Sequence, residues 1–278
     1  MISAMKPNFS ISRSILRLRQ NTVTLYDQKL LEQQLAESHK RFPGPDYLEV
    51  IRWVHQTLKP SLYIEIGVEV GDSLKITLPT TRSIGIDPSP RCKSRRNVDV
   101  YAMTSDDFFA QVEAGTISGV HGYSLAFIDG LHTYDQALRD FINLEKLSSS
   151  DSVIMLHDCI PLDAISSSNP RTSQFYTGDV WKTLLILVRN RPDLKICIVP
   201  AWPSGLVLVS GLNSESEVLR EKFSVLIDQY RSLTFADYSS AVRELPSPTP
   251  NEEEAIKQFL QASRSQSGIR PNALASRS

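Results

Sequence analysis

The chain has 278 residues, 41% hydrophobic and 22% charged, with a formal net charge of −1. That is enough apolar material for one substantial core, and the charge is too balanced to gather nucleic acid or an anionic lipid surface. The cysteines, Cys92, Cys159 and Cys197, fall in separate elements without a Cys-x-x-Cys pair, which argues against a disulfide framework and a thiolate zinc site. No apolar stretch approaches the roughly twenty residues of a membrane span, and Lys6, Arg13, Arg17 and Arg19 stand among polar residues with no export-signal core. The expected setting is a reducing cytoplasm, with neither nucleic acid nor membrane as partner.

From Thr24 to Leu58 the spacing is helical: Leu30, Leu31 and Leu35 share one face, Ile51, Val54 and Leu58 another, and Pro43-Gly44-Pro45 breaks the run. This extension, residues 1–58, is read by default as packing; covering a cofactor and forming a homodimer contact are its other uses. Strands are predicted at Leu62 to Ile66, Ser83 to Ile86, Val98 to Tyr101, Ser124 to Ile128 and Ser152 to Leu156, with helices at Asp106 to Ala114 and Tyr134 to Leu147. Alternating β and α units predict an α/β fold, a doubly wound and mostly parallel sheet covered on both faces. After a helix at Val180 to Arg189, the runs Lys195 to Val199 and Gly205 to Val209 are joined by too few residues for a crossover, which predicts a closing antiparallel hairpin. The main domain is thus placed at residues 59–212, a helical extension at 213–245, and a flexible tail at 246–278 with a short helical candidate at Glu252 to Gln261.

The most informative stretch is Tyr63-Ile64-Glu65-Ile66-Gly67-Val68-Glu69-Val70-Gly71-Asp72-Ser73, an apolar run closing on two glycines. It predicts a strand turning sharply into a helix. Gly67 can take angles that a Cβ forbids, Gly71 admits a close approach, and Asp72-Ser73 can cap the helix start. A dinucleotide site usually reads Gly-x-Gly-x-x-Gly; here the middle glycine is missing, and Glu65 and Glu69 stand where they would repel a pyrophosphate. Such a turn suits a sulfonium or ammonium ligand with a neutral nucleoside, and the stretch resembles the first motif of class I S-adenosylmethionine-dependent methyltransferases. The run Ser83 to Ile86 ends on Asp87, about twenty residues beyond Gly67, the usual place for the acid that binds ribose hydroxyls. Asp87 before Pro88 is also ordinary turn chemistry.

Ligands of a doubly wound sheet lie beyond the carboxyl ends of its strands. There the chain carries Asp129-Gly130-Leu131-His132-Thr133-Tyr134 after one strand and His157-Asp158-Cys159 after the next. Three uses compete for this cluster: carboxylates for a divalent cation such as Mg²⁺, metal-free proton transfer by His132, and plain capping of loops and helices.

The pattern Phe127-Ile128-Asp129-Gly130-x-His132-x-Tyr134, then His157-Asp158, then Thr177-Gly178-Asp179-Val180-Trp181-Lys182, resembles methyltransferase family 24, related to catechol-type and macrolide-sugar O-methyltransferases. The resemblance covers about Leu62 to Val209. It implies a seven-stranded Rossmann-like methyltransferase fold and transfer of a methyl group from S-adenosylmethionine to a small hydroxylated acceptor. By the same resemblance Asp129 and Asp158 hold the metal, with His157 counted beside them, and His132 is the general base. Glu65, Gly67, Gly71, Ser73 and Asp87 fall on cofactor positions, Ser105 and Asp106 near the adenine, and Asp129 beside the cofactor. The chain departs from catechol-type enzymes in carrying Cys159 where they have Asn, and a thiol is a poor Mg²⁺ ligand. The loop Ala164 to Tyr176 and the early helices are expected to shape the acceptor pocket. Two rival readings stay open: a nucleotide-dependent oxidoreductase on the same architecture, and a ligand-binding protein that keeps the fold without catalysis.

Overall fold

A computed structural model describes residues 27–267; the basic N-terminal positions Lys6 to Arg19 and the end of the predicted tail lie outside them. Two helices, α1 (Gln28–Arg41) and α2 (Tyr47–Leu58), lead in, each capped by an aspartate whose side chain accepts a backbone N–H, Asp27 from Leu30 and Asp46 from Glu49. Seven strands follow: β1 (Leu62–Ile66), β2 (Arg82–Asp87), β3 (Val98–Ala102), β4 (Tyr123–Ile128), β5 (Ser148–His157), β6 (Lys195–Val199) and β7 (Leu206–Ser210). They form one sheet in the order β3-β2-β1-β4-β5-β7-β6. The β1, β2, β3, β4 and β5 pairings are parallel, and β7 runs antiparallel to both β5 and β6. This is the predicted doubly wound sheet with its antiparallel end.

Period-two alternation sends each strand's side chains to two separate cores. Ile64, Ile84, Ala126, Ile154 and Val207 meet α3 (Ser105–Glu113), α4 (Tyr134–Leu147) and α5 (Trp181–Asn190). The short helices α6 (Val218–Glu221), α7 (Phe223–Arg231) and α8 (Phe235–Ala241) add Leu219, Leu226, Tyr230 and Tyr238 to the same core. On the opposite face Tyr63, Leu125, Phe127, Met155 and Leu208 pack under Val50, Ile51 and Val54 of α2.

Two expectations fail on this second face. No α-helix follows the glycine turn; residues 67–81 contain only a 3-10 turn, Leu74–Ile76, which Ser73 does not cap with its side chain. The side chain of Ser73 is committed to Glu65 instead. The tail is packed rather than flexible over part of its length, where the helical candidate at Glu252 to Gln261 is present; residues 268–278 lie outside the described residues. Residues Glu253–Ser267 form a helix, α9, that lays Ile256 and Leu260 into the core beside α2. Thr249 N–H donates to Ile198 C=O (2.8 Å), and the Arg264 guanidinium donates to Leu58 C=O (3.0 Å). The polar character of the segment hid the docking, because among the described residues the apolar contact rests on Ile256, Phe259 and Leu260 alone. A strand face left bare by a missing crossover helix needs a cover, and α2 with α9 supplies it. Among the described residues no helix is long and apolar enough to cross a membrane.

This arrangement sets the expected cost of losing α9. Ile256→Ala and Leu260→Ala should each lower unfolding free energy by about 2–5 kcal/mol in urea titrations. A loosely attached tail would give changes within about 0.5 kcal/mol.

Candidate functional site

The carboxyl ends of β1 and β4 meet in direct backbone contact. Gly67, with φ of 90°, lies so close to the next strand end that a Cβ there would stand 1.9 Å from the Asp129 carbonyl oxygen. The Gly67 N–H donates to Ile86 C=O and the Asp129 N–H to Ile66 C=O, both at 2.8 Å, so the sheet ladder continues past the strands and pins both turns. Glycine at 67 is therefore required by space as well as by angle. Gly71, with φ of 74°, packs against Cys92.

Neither acid of the turn presents a free charge. Glu65 is fully buried; the Tyr63 hydroxyl donates to it (2.8 Å), as does Ser73 Oγ. Burial pushes its carboxyl up to about 8 against the pull of those hydrogen bonds. Glu69 is exposed and ion-paired with Arg91. The repulsion of a pyrophosphate expected from these two acids is thus absent. What disfavours a pyrophosphate is the missing helix, since a 3-10 turn offers neither the dipole nor the row of free N–H groups that a helix start provides. Asp87 holds the turn with both oxygens, accepting from Glu69 N–H (2.9 Å) and Ser89 N–H (2.7 Å). Its loop-capping role is thus present in the structure.

Beside the turn, Asp129, His132, His157 and Asp158 come together as one cluster. His157 is the last residue of β5; by the period of two it shares a face with Met155 and points under α2, where the Tyr47 ring lies 4.2 Å from its own. His157 Nδ1 is 3.1 Å from Asp129 Oδ1 and 3.5 Å from Asp158 Oδ1. From the other side His132 Nδ1 lies 2.9 Å from Asp158 Oδ2, and its Nε2 lies 3.5 Å from Asp129 Oδ1. His132 and Asp158 both hold left-handed backbone conformations, φ 60° and 59°, a strain that clusters at functional sites. Burial works against charge on all four side chains. The opposed charges win: the histidines hold both carboxyls below their usual range, and the carboxylates hold both imidazoles above theirs.

The donor atoms of Asp129, His132 and Asp158 lie within 4.8 Å of one another. Asp158 Oδ2 is buried and paired with His132. Two carboxylates brought together at adjacent strand ends are a donor set that fits a hard divalent cation. Cys159 does not join it. Its thiol is buried in the α4 and α5 core, nearest the His157 and Leu156 carbonyls.

Several partners escaped the sequence reading. Ser204, from the β6–β7 turn, donates to Asp158 Oδ1 (2.5 Å) and lies 3.4 Å from His157 Nε2. Tyr176 stacks parallel to His132 with ring centres 5.6 Å apart, and its carbonyl lies 3.3 Å from His132 Nδ1. The Thr177-Gly178-Asp179 run, noticed as a motif without a role, grips the His132 loop. A Cβ on Gly178 would stand 1.8 Å from the His132 carbonyl oxygen, and Asp179 accepts the Tyr134 N–H (3.0 Å). Ser105 and Asp106 are not drawn into the cluster by any hydrogen bond among the described residues; they lie at the start of α3, within hydrogen-bond distance of the Gln136 amide nitrogen, which also reaches Asp140. Asp140 is buried and its carboxyl is raised to about 6 by that burial.

The Glu65 carboxyl makes a pH-dependent prediction. Between its usual 4.5 and about 8 the folded chain keeps a proton that the unfolded chain releases, so stability falls as pH rises across that window. Thermal melts should show this decline in wild type and a flatter profile in Glu65→Gln. Identical pH slopes would mean that Glu65 is ionised in the fold.

Residues 64–159 match the family described as "Methyltransferase domain". No curated protein matches the chain. Among solved structures, the O-methyltransferase from Bacillus cereus in complex with SAH is 16% identical, with 67% of this chain and 92% of that one covered and a TM-score of 0.44. The O-methyltransferase of tomaymycin synthesis from Streptomyces achromogenes, in complex with SAM, is 15% identical over 69% and 94%, with a TM-score of 0.45. A SAH-bound methyltransferase from Podospora anserina is 14% identical over 70% and 100%, with a TM-score of 0.42. The chain therefore carries a methyltransferase domain across its strand-end site and is consistent with a class I S-adenosylmethionine-dependent methyltransferase.

Proposed function

We propose that the chain transfers a methyl group from S-adenosylmethionine to a hydroxyl oxygen of a small acceptor such as a sugar, a phenol or a related metabolite. The observation that carries this reading is the contact between Gly67 and the Asp129 carbonyl, which joins the cofactor turn to the acid–imidazole cluster within the matched domain. A methyl donor on that turn and an acceptor at the cluster are then neighbours.

The cofactor supplies an electrophilic methyl, so the protein's task is to align an acceptor oxygen with it and to remove a proton. Alignment in a near-attack geometry can contribute about 7–11 kcal/mol, more than a positioned base, which adds roughly a hundred- to ten-thousand-fold in rate. Gly67, Gly71 and Ser73 shape the methionine end, Asp87 takes the ribose hydroxyls, and Ser105 and Asp106 border the adenine. Asp129 and Asp158 are the residues to hold a divalent cation, which would supply positive charge for a developing oxyanion and offset the carboxylates that now surround His132. His132 takes the acceptor proton at Nε2, the nitrogen farther from its nearest carboxylate. The pocket that opens on the cluster is lined by Asp129, Leu131, His132, Asp140, His157 and Asp158.

Calorimetry with S-adenosylhomocysteine tests the cofactor assignment. Binding is expected, and Asp87→Ala should weaken it by about 1–3 kcal/mol through lost hydrogen bonds. Absence of binding, together with clear binding of a nicotinamide dinucleotide, points to an oxidoreductase instead.

The chemistry is tested on a panel of hydroxylated glycosides and phenols with mass detection of product. Chelator should abolish turnover, Mg²⁺ or Mn²⁺ should restore it, and His132→Ala should lower it by at least about a hundredfold with cofactor affinity nearly unchanged. Full turnover in chelator contradicts the metal, and near wild-type turnover in His132→Ala contradicts the base.

A further inference from the structure

We propose that the cover formed by α2 and α9 is an acid-sensitive clasp with His55 as its trigger: the uncharged imidazole packs between α2 and β1, and its protonation releases α2 from the sheet, and α9 with it. The inference concerns the cover alone and stands whatever group the chain transfers.

His55 sits in the last turn of α2 with 0% exposure, on the helix face that carries Ile51 and Leu58 into the core. Neither of its ring nitrogens has a hydrogen-bond partner among the described residues. A buried polar atom is nearly always paired, so an imidazole with two bare nitrogens calls for a reason other than stability. The ring it meets is Tyr63 of β1, edge-on with centres 4.7 Å apart. The Tyr63 hydroxyl is already committed to Glu65 and offers His55 nothing.

No element packed around His55 supplies a counter-charge. On β1, Glu65 accepts from Tyr63 and Ser73. On the 3-10 turn, Lys75 pairs with Asp72. On α9, Lys257 pairs with Glu253, Glu254 is exposed, and Arg264 is turned to the Leu58 C=O. Within α2, Glu49 and Arg52 pair with each other, and Tyr47 faces His157 of β5 at the far end of the helix. On β6, the Cys197 thiol is turned to Thr249. Burial alone therefore acts on the imidazole and pushes it down to about 4.

Once the cover is open, His55 regains its ordinary value of 6.5. Closure thus keeps its full strength above 6.5 and loses it as pH falls from there through about 4. Glu65 acts in the opposite direction, since its retained proton favours the fold at lower pH. α9 lies beside α2 and holds it through Arg264 and Leu58, three residues beyond His55, so the two helices leave together. Because α2 also sets Tyr47 against His157, its release uncovers the acid–imidazole cluster.

Hydrogen exchange on the full chain at pH 7 and pH 5, read as protection factors of the α2 and α9 amides, tests this against His55→Phe and His55→Leu. In wild type the opening equilibrium of these helices should rise about twentyfold across that interval, and both variants should lack the rise. Glu65 and the other histidines are common to all three proteins, so their contributions cancel in the comparison. An NMR titration of the His55 ring in wild type, independent of how the variants fold, should find it uncharged at pH 5. Equal pH dependence in wild type and both variants, a loss of protection spread evenly through the sheet, or a His55 ring that charges near 6.5 in the closed fold would overturn the inference.

Discussion

Two carboxylates side by side at the ends of β4 and β5, Asp158 buried and Asp129 partly so, are the constraint around which this site is arranged. Taking Asp129 and Asp158 out of water is costly unless charge is returned to them. The chain returns it with two imidazoles, one from each side, and with the Ser204 hydroxyl. Each of those partners is itself anchored: His157 by the last rung of β5 and the Tyr47 ring, His132 by Tyr176 and by the close packing of Gly178. A cluster built at such expense, with His132 and Asp158 both held in left-handed backbone conformations, has the character of a functional site rather than of a stabilising one.

The same constraint explains the unusual cover of the sheet. With only a 3-10 turn between β1 and β2, the face that carries Tyr63, Glu65, Phe127 and His157 lies open to whatever the flanking segments bring. α2 brings Tyr47 to the cluster and Val50, Ile51 and Val54 to the core, and α9 closes the remainder with Ile256 and Leu260. Burial of Glu65 follows from this cover, and so does its raised carboxyl. The helical extensions are therefore part of the site's dielectric environment as well as of the core.

Much of this was legible in the sequence because its signals are local. Strand periodicity located the seven strands, with β1 and β6 matching the observed ends, and β5 started earlier than expected because Ser148 to Ser150 carries no apolar pattern. Glycine spacing located the turn at Gly67, and polar residues after apolar runs located Asp129, His132 and Asp158. The rest depends on long-range contact. Ser204, Tyr176 and Tyr47 reach the cluster from segments distant in the chain, and nothing near them in sequence marks that. The expected helix after Gly71 failed because a cap needs a free hydroxyl, and Ser73 spends its own on Glu65. The apparent charge of Glu65 failed for a related reason, since a sequence shows an acid but not its burial.

A crystal structure of the chain with S-adenosylhomocysteine tests the central claim most directly. The account predicts density for the nucleoside at the rim between Gly67 and Asp87, with the adenine toward Ser105 and Asp106 and the sulfur facing the Asp129–Asp158 cluster. Density for the compound elsewhere on the molecule, with this rim left to solvent, would contradict it.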